Sequence, residues 1–320
     1  MPKVSVIVPV YGVEKYIERC ARSLFEQTLD DIEYLFIDDC TPDRSVEILR
    51  SVMEEYPQRK DQVIIHLMEK NSGQAAVRKW GIQNASGEYV IHCDSDDWVD
   101  TKMYEKLWLK AKEGNYDIVR CNFCRTDGKN KALCRQIPSL AYDDKLKLMS
   151  YLLIGYSLTS LCDKLVRRDI FTANDIIFPV DNMQEDAVLV LQFLYYSNKI
   201  CFVPELLYFY YRNPTSISQK KTVESYLKNL NEVKNNTTII IEFLKDKGIL
   251  DRFSEELVCR KYNVRSHINC LTSQKEFKKM WWSIYPEINW KILFNTKMYY
   301  KEKLEYLSVV FGLYKFLFQH

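Results

Sequence analysis

A short apolar run followed by a stretch of helical periodicity, repeated along the first 126 residues, is the feature that most narrows what this chain can fold into. The runs VSVIVPVY, IEYLFIDD, QVIIHLMEK and GEYVIHCD read as buried strands. After the first, Ile17, Cys20, Ala21, Leu24 and Phe25 recur at helical spacing in EKYIERCARSLFEQ. PDRSVEILRSVMEEY follows the second as a helix that Thr41 or Asp43 is placed to cap, and GQAAVRKWGIQNA follows the third. Asp100 and Gly114 bracket one more helix, TKMYEKLWLKAKE, ahead of the strand YDIVRCNFCRT. Such alternation implies βαβ units and an α/β fold with a mostly parallel sheet flanked by helices, in which ligands gather at the carboxyl ends of the strands. The polar clusters YG, DDCTPD, KNSG and DSDD stand at those ends, so the spacing predicts one shared crevice.

With 47% apolar and 13% aromatic residues in 320, the chain can bury at least one large core, and two domains at most are expected. Its 45 basic and 43 acidic residues nearly cancel, which argues against a general electrostatic grip on nucleic acid. Ten cysteines without framework spacing fit reduced thiols of a cytosolic protein. The close pair Cys121 and Cys124 has no matching second pair for zinc, Cys134 being alone, and reads as buried thiols on a strand. The opening MPKVSVIVPVYG breaks at Pro9, too early for a signal-peptide core, and no segment reaches the roughly 18 uninterrupted apolar residues of a spanning helix. The expectation is a cytoplasmic chain, at most peripheral on the inner face of a membrane.

HCDSDDWVD places three carboxylates, Asp94, Asp96 and Asp97, within four residues directly after a strand. A Gly-rich dinucleotide turn or a P-loop is missing, since PVYGVEK follows strand one and the chain has only nine glycines. A diphosphate beside these acids needs a divalent cation between carboxylate and phosphate oxygens, and donors this hard favour Mn or Mg. An Asp-x-Asp pair alone is a weak signal, because acidic loops usually face water.

The ordered series VSVIVPVYG, FIDDCTPD, NSGQAAVRKWGI, SGEYVIHCDSDDW, CDKLVRR and QEDAVLVLQFLY resembles the inverting family 2 glycosyltransferases of bacterial polysaccharide biosynthesis, which have the Rossmann-like GT-A fold. The resemblance implies a nucleotide-sugar transferase domain over residues 1–218 and leaves 219–320 as a helical C-terminal extension. It implies that Pro9, Tyr11 and Asp39 hold the nucleotide base, Asp39 accepting the uracil N–H, which points to a UDP-sugar donor. It places Arg78 near the nucleotide and diphosphate, Asp94 facing the ribose, and Asp96, with Asp97 beside it, at the metal. Where family members commonly have Gly and Ser after the base-binding acid, this chain has Cys40 and Thr41. Each residue also has a structural alternative: Asp39 as a helix cap, Arg78 as the partner of a crevice carboxylate, Tyr11 as an ordinary strand-end aromatic.

An inverting transfer is a single displacement, so a carboxylate must take the proton of the acceptor hydroxyl. QEDAVL offers Glu185 and Asp186 ahead of a Leu-rich helix, where acids are also stabilised by the helix dipole alone. The family pattern assigns the base to Asp186, with Glu185 orienting it. Arg212, Ser216 and Ser218 of YFYYRNPTSIS resemble a segment that closes over the diphosphate, and Lys164 is expected at the same cleft. The Gln-x-x-Arg-Trp motif of processive synthases is missing, so a single sugar is expected to be added to a glycan or lipid-linked saccharide acceptor, and the resemblance implies a transferase of hexosyl type. Two other readings compete. A sugar nucleotidyltransferase would show a Gly-rich basic loop in place of VPVYGVEK, and a non-catalytic carbohydrate-binding or scaffold protein would need no acids at positions 96 and 186. Residues 275–320 hold eight Lys and four Glu among Trp281, Trp282, Trp290, Tyr299, Tyr300, Phe311, Phe316 and Phe318. That composition fits either an interfacial helix, in which case a chain ending near Ser273 stays in solution, or aromatics packed on the catalytic domain.

Overall fold

The computed structural model describes all residues except 129, 134–143, 156–157, 214–221 and 319–320. Cys134, Ser216, Ser218 and the expected boundary at 218 and 219 lie outside the described residues. The four apolar runs form β1 (Val4–Val10), β2 (Ile32–Asp38), β3 (Val63–Leu67) and β4 (Tyr89–His92), separated by α1 (Ile17–Phe25), α2 (Ser45–Glu54) and α3 (Gln74–Asn84). Arg44 takes the cap position of α2 in place of the expected Thr41 or Asp43, and Asp43 Oδ1 accepts the Ser45 amide just inside the helix. After β5 (Trp98–Val99) comes α4 (Met103–Gly114), and Asn115, one residue beyond the expected glycine, takes the left-handed turn at φ 52°. The strand YDIVRCNFCRT is β6 (Ile118–Thr126), with Cys121 and Cys124 both buried. The chain continues through β7 (Lys131–Leu133), α5 (Lys145–Leu153), β8 (Lys164–Arg167), α6 (Asp169–Thr172), α7 (Glu185–Tyr196) and β9 (Ile200–Tyr211).

Strands lie in the order β3-β2-β1-β4-β8-β6-β9-β5, with β7 on β6. β1 to β4 pair in parallel, as do β6 and β9, and β8 enters antiparallel between β4 and β6. The result is a mostly parallel sheet flanked by helices. β3 stands at its edge, so Ile64 and Leu67, read from sequence as buried, remain exposed. Pro9 sits in a central strand without breaking it. Ile7 O accepts the Cys93 amide, so alternation turns the missing N–H of Pro9 toward β4, whose pairing has already ended at His92.

Val4, Val6, Val8 and Val10 face one apolar core with α1, α2 and α4, while Ile7 faces a second with α3, α5 and α7. The C-terminal region is helical: α8 (Val223–Asp246), α9 (Ser254–Ser266), α10 (Lys275–Ser283), α11 (Lys291–Phe294), α12 (Tyr300–Val310) and α13 (Tyr314–Phe318). It is not a free tail. Ile240, Phe243 and Leu244 of α8 complete the second core, and a third core forms around Trp281, which is fully buried with the Tyr306 ring 5.6 Å away and Arg265 over its face. A chain ending near Ser273 would lose Phe277, Trp281, Ile284 and Ile288 from that core and is expected to lose stability. Not all tail aromatics join that core: Trp290, Tyr300, Phe311 and Phe316 stay exposed.

Gly81 lets α3 lie directly on β1, because an added Cβ would meet Ile7 Cγ2 at 2.5 Å. Gly81→Ala is expected to lower stability by about 1–3 kcal/mol through overpacking. A urea midpoint equal to that of the parent chain would show that α3 docks more loosely than this.

Candidate active site

Parallel pairing brings the loops after β1, β2, β3 and β4 to one end of the sheet, and short polar side chains tie them together. The Gly12, Val13 and Glu14 amides donate to Thr41 Oγ1, Ser45 Oγ and Asp43 Oδ2 at 2.8, 3.1 and 2.9 Å, which clips the first loop to the second. Asp39 is buried and clips the second to the third, accepting the Ser72 and Gly73 amides at 2.7 and 2.9 Å. The next residue, Cys40, lies at φ 57°. This left-handed turn suits the glycine common in the family, and holding a side chain there costs about 1–2 kcal/mol. Tyr11 is exposed beside these loops, and Pro9 is half-buried below it.

A cavity of about 210 Å³ opens beyond them, lined among others by Arg78, Asp94, Arg125, Asp186, Tyr208 and Tyr210. Arg78, on α3, is buried and does not reach for an open cleft. It donates to Glu185 at the start of α7 and, at 2.8 Å, to Asp94 Oδ1 at the end of β4. Although burial opposes its charge, the carboxylates of Asp94 and Glu185 raise its pKa. Burial, partly offset by Arg78 and reinforced by Asp186, pushes the Glu185 carboxyl upward. The neighbouring Asp186 is partly exposed and is also shifted upward by burial, against Arg78, Arg260 and Lys164. Its Oδ1 accepts the Ala187 amide at 2.8 Å, and among the described residues its Oδ2 accepts no hydrogen bond.

The three acids of the DSDD loop separate by role. Asp96 accepts from Asn213 Nδ2 at 3.0 Å, and burial, followed by repulsion from Asp94, lifts its carboxyl to about 6. Arg19, stacked on the Trp98 ring, donates to the Asp96 carbonyl at 2.8 Å and fixes the loop. Asp97 was expected beside the metal, but it is fully buried and both of its oxygens are taken, by the Tyr208 hydroxyl and, at 2.6 Å, the Tyr211 amide. It ties the acidic loop to β9 and presents no oxygen to the crevice. Lys164 departs from expectation in the same way. Its ammonium is buried against Asp163 and the Ser160 carbonyl, within an Arg120–Asp163–Lys164 cluster, and burial lowers its pKa. Arg212 is exposed on the strand exit, held by its amide to the Thr126 carbonyl.

Sequence reading missed the residues that position the acid pair. Asn182 Oδ1 accepts the Ala75 amide at 3.0 Å and so caps α3 from 107 residues away, and a Cβ on Gly73 would strike that side chain. Asn236 of α8 donates to the Asp181 and Met183 carbonyls, Glu232 accepts the Met183 amide, and Gln184 donates to Asn263 of α9. No motif spacing marks contacts of this separation.

Fold and site together define a GT-A transferase. A family model described as glycosyl transferase family 2 matches residues 5–173, and the chain belongs to that family. It is 30% identical over 272 residues to the uncharacterized glycosyltransferase EpsJ of Bacillus subtilis, covering 81% of this chain and 76% of EpsJ. Among solved structures, S. aureus TarS in complex with UDP-GlcNAc superposes with a TM-score of 0.60 at 18% identity, covering 98% of this chain and 91% of that one. The mannosyltransferase PcManGT from Pyrobaculum calidifontis, in complex with GDP-Man and Mn2+, gives 0.55 at 13% identity, covering 98% and 87%. The enzyme is therefore a glycosyltransferase.

The raised pKa of Asp96 carries a sign that can be tested. A folded-state carboxyl at about 6 binds its proton more tightly than an unfolded one, so ionising Asp96 destabilises the metal-free protein as pH rises through 6. Asp96→Asn should raise metal-free stability at pH 7 by about 1–2 kcal/mol, a gain that shrinks toward pH 5, where the parent carboxyl already holds its proton. Chemical unfolding at the two pH values measures it, and a loss of stability at pH 7 would contradict the unfavourable burial of the Asp96 carboxylate beside Asp94.

Proposed function

We propose that this glycosyltransferase moves one sugar, with inversion, from a nucleotide diphosphate, in the first instance a UDP-sugar, to a glycan or lipid-linked saccharide acceptor in bacterial polysaccharide synthesis. The observation that carries the reading is one cavity in which Asp94 from the end of β4 meets Asp186 from the start of α7. Asp39 accepts one amide on each oxygen and keeps a lone pair on each for the N–H of a uracil ring, with exposed Tyr11 alongside. Asp186 lines the cavity, its Oδ2 accepts no hydrogen bond among the described residues, and it takes the acceptor proton as the bond to the diphosphate breaks. Glu185, fixed by Arg78, holds the first turn of α7 so that this oxygen stays in place.

Two carboxylates are donors of the chemistry a hard divalent cation prefers, although among the described residues no group of three His, Cys, Asp or Glu side chains gathers around one point. Asp96 and the Asp94 oxygen left over from Arg78 would hold Mn or Mg, which when bound supplies charge to the leaving diphosphate. Solved relatives of this fold hold UDP, UDP-GlcNAc and, with Mn2+, GDP-Man, which supports a nucleotide-sugar donor. A non-catalytic binding protein would have no use for Asp96 held beside Asp94, or for Asp186, whose carboxyl burial pushes up, at the start of α7.

The test is a panel of UDP- and GDP-sugars with Mn, scored for nucleotide release, because slow hydrolysis reports the donor without the acceptor. Release from a UDP-sugar is expected, and Asp186→Asn should cut turnover roughly 100-fold while Mn-dependent UDP binding persists. Near-normal turnover in that variant would move the base to Glu185 or remove the inverting mechanism. No release from any donor would favour the binding-protein reading.

A further inference from the structure

The last three helices leave a wide apolar surface uncovered. Trp290, Phe294, Tyr300, Phe311 and Phe316 are each between 71% and 82% exposed, and Leu317 lies 59% exposed beside them in sequence. This is not scatter along a loop. Trp290 and Phe294 are four residues apart across α11, and Tyr300, Leu304 and Phe311 fall within about 40° of one another at helical spacing along α12. Their inward neighbours Ile292, Tyr306 and Val309 fill the third core, so the exposed rings occupy the opposite face of the same helices. α11 packs against α12 and α12 against α13, so the exposed rings belong to neighbouring helices.

Charge around this face is predominantly positive, eight Lys against four Glu in residues 275–320. Glu287 pairs with Lys261, Glu305 with Lys301, Glu302 accepts the Tyr299 amide at the start of α12, and Glu276 stands exposed on α10. Lys291 and Lys315, both exposed, have no ion-pair partner among the described residues. They stand within the aromatic stretches, beside Trp290 and Phe316. A water-facing surface gains nothing from five bare rings, and a protein partner that covered them would also have to supply acids at each lysine. An anionic lipid surface supplies both at once: headgroup phosphates for the ammonium groups and an acyl boundary for aromatic rings. No described helix is long and apolar enough to cross a membrane.

We propose that the outer face of α11, α12 and α13 docks this enzyme on an anionic lipid bilayer, the rings entering the headgroup boundary and Lys291 and Lys315 contacting lipid phosphate. The inference is independent of which sugar is transferred and of which residue is the base.

The test sediments the full chain with vesicles of equimolar phosphatidylglycerol and phosphatidylcholine, and with vesicles of phosphatidylcholine alone, at low and high salt. Most of the protein is expected to pellet with the anionic vesicles at low salt and little with the neutral ones. Phe294→Ser combined with Phe316→Ser should weaken that partitioning by roughly tenfold or more. Lys291→Glu combined with Lys315→Glu should do the same on anionic vesicles only. These four side chains lie outside the third core, so the urea midpoint of each variant should match the parent chain. Protein that stays in the supernatant with anionic vesicles overturns the proposal, as does equal partitioning of parent and variants. Light scattering without lipid adds a further check: a dimer that dissociates on Phe294→Ser would assign the face to a second copy of the chain and overturn the lipid assignment.

Discussion

The guanidinium of Arg78 joins parts of the structure that have no other reason to meet. It stands on α3, reaches Asp94 at the end of β4 and Glu185 at the start of α7, and does so from a position almost without solvent. Two carboxylates buried this close would repel strongly, and each would be driven to hold a proton. One planar cation with several donors can satisfy both, which a lysine's single ammonium on a flexible stem does less well. Removing a partner from such a group leaves an uncompensated buried charge, typically 3–5 kcal/mol. Asp186 follows Glu185 directly, so the same contact fixes the distance between the acidic loop and the side chain assigned as base.

The C-terminal helices support that arrangement from outside the matched region. Asn236 and Glu232 of α8 hold the backbone at Asp181 and Met183, Asn263 of α9 holds Gln184, and Ile240 and Phe243 close the core beneath α7. Gln184 lies at φ 62°, a left-handed position for a residue with a side chain, immediately before the two acids. Backbone strain of this kind persists only where surrounding contacts over-determine it. Arg260 of α9, fully buried and hydrogen-bonded to Thr237, adds positive charge near Asp186. Residues far past the end of the family match at 173 therefore set both the position and the electrostatics of the acid pair.

The acidic loop shows the opposite economy of contacts. Asp97 is buried to anchor the loop on β9, and Arg19 grips its backbone, yet Asp96 is left with one amide donor and a like-charged neighbour. The loop is fixed by these contacts in a form that leaves a buried carboxyl beside a like charge, which is what the proposed cation site would use. Rigid support around an unfavourable charge is how a site keeps its geometry ready for a ligand.

Apart from the two-residue β5, the order of strands and helices through residue 126 was legible in the sequence, because period-2 and period-3.6 apolar patterns are local properties of the chain. So was the end of the sheet at which the polar loops collect, since parallel pairing by helical crossovers leaves no other choice. The short strands β5, β7 and β8 were not legible, nor was the edge position of β3, because burial on two faces and burial on one look alike in a run of five residues. Among the acids, sequence placed Asp94, Asp96 and Asp186 at the crevice but could not separate Asp96 from Asp97. Adjacent residues on a loop are equivalent in composition, and only the approach of Tyr208 and Tyr211 from β9 decided which was buried. Lys164 and Arg78 were equally ambiguous, since a cation's partner is set by whichever carboxylate the fold brings within about 3 Å. Spacing along the chain determined which residue types reach the crevice, and long-range packing decided which of them keep an atom free to act there.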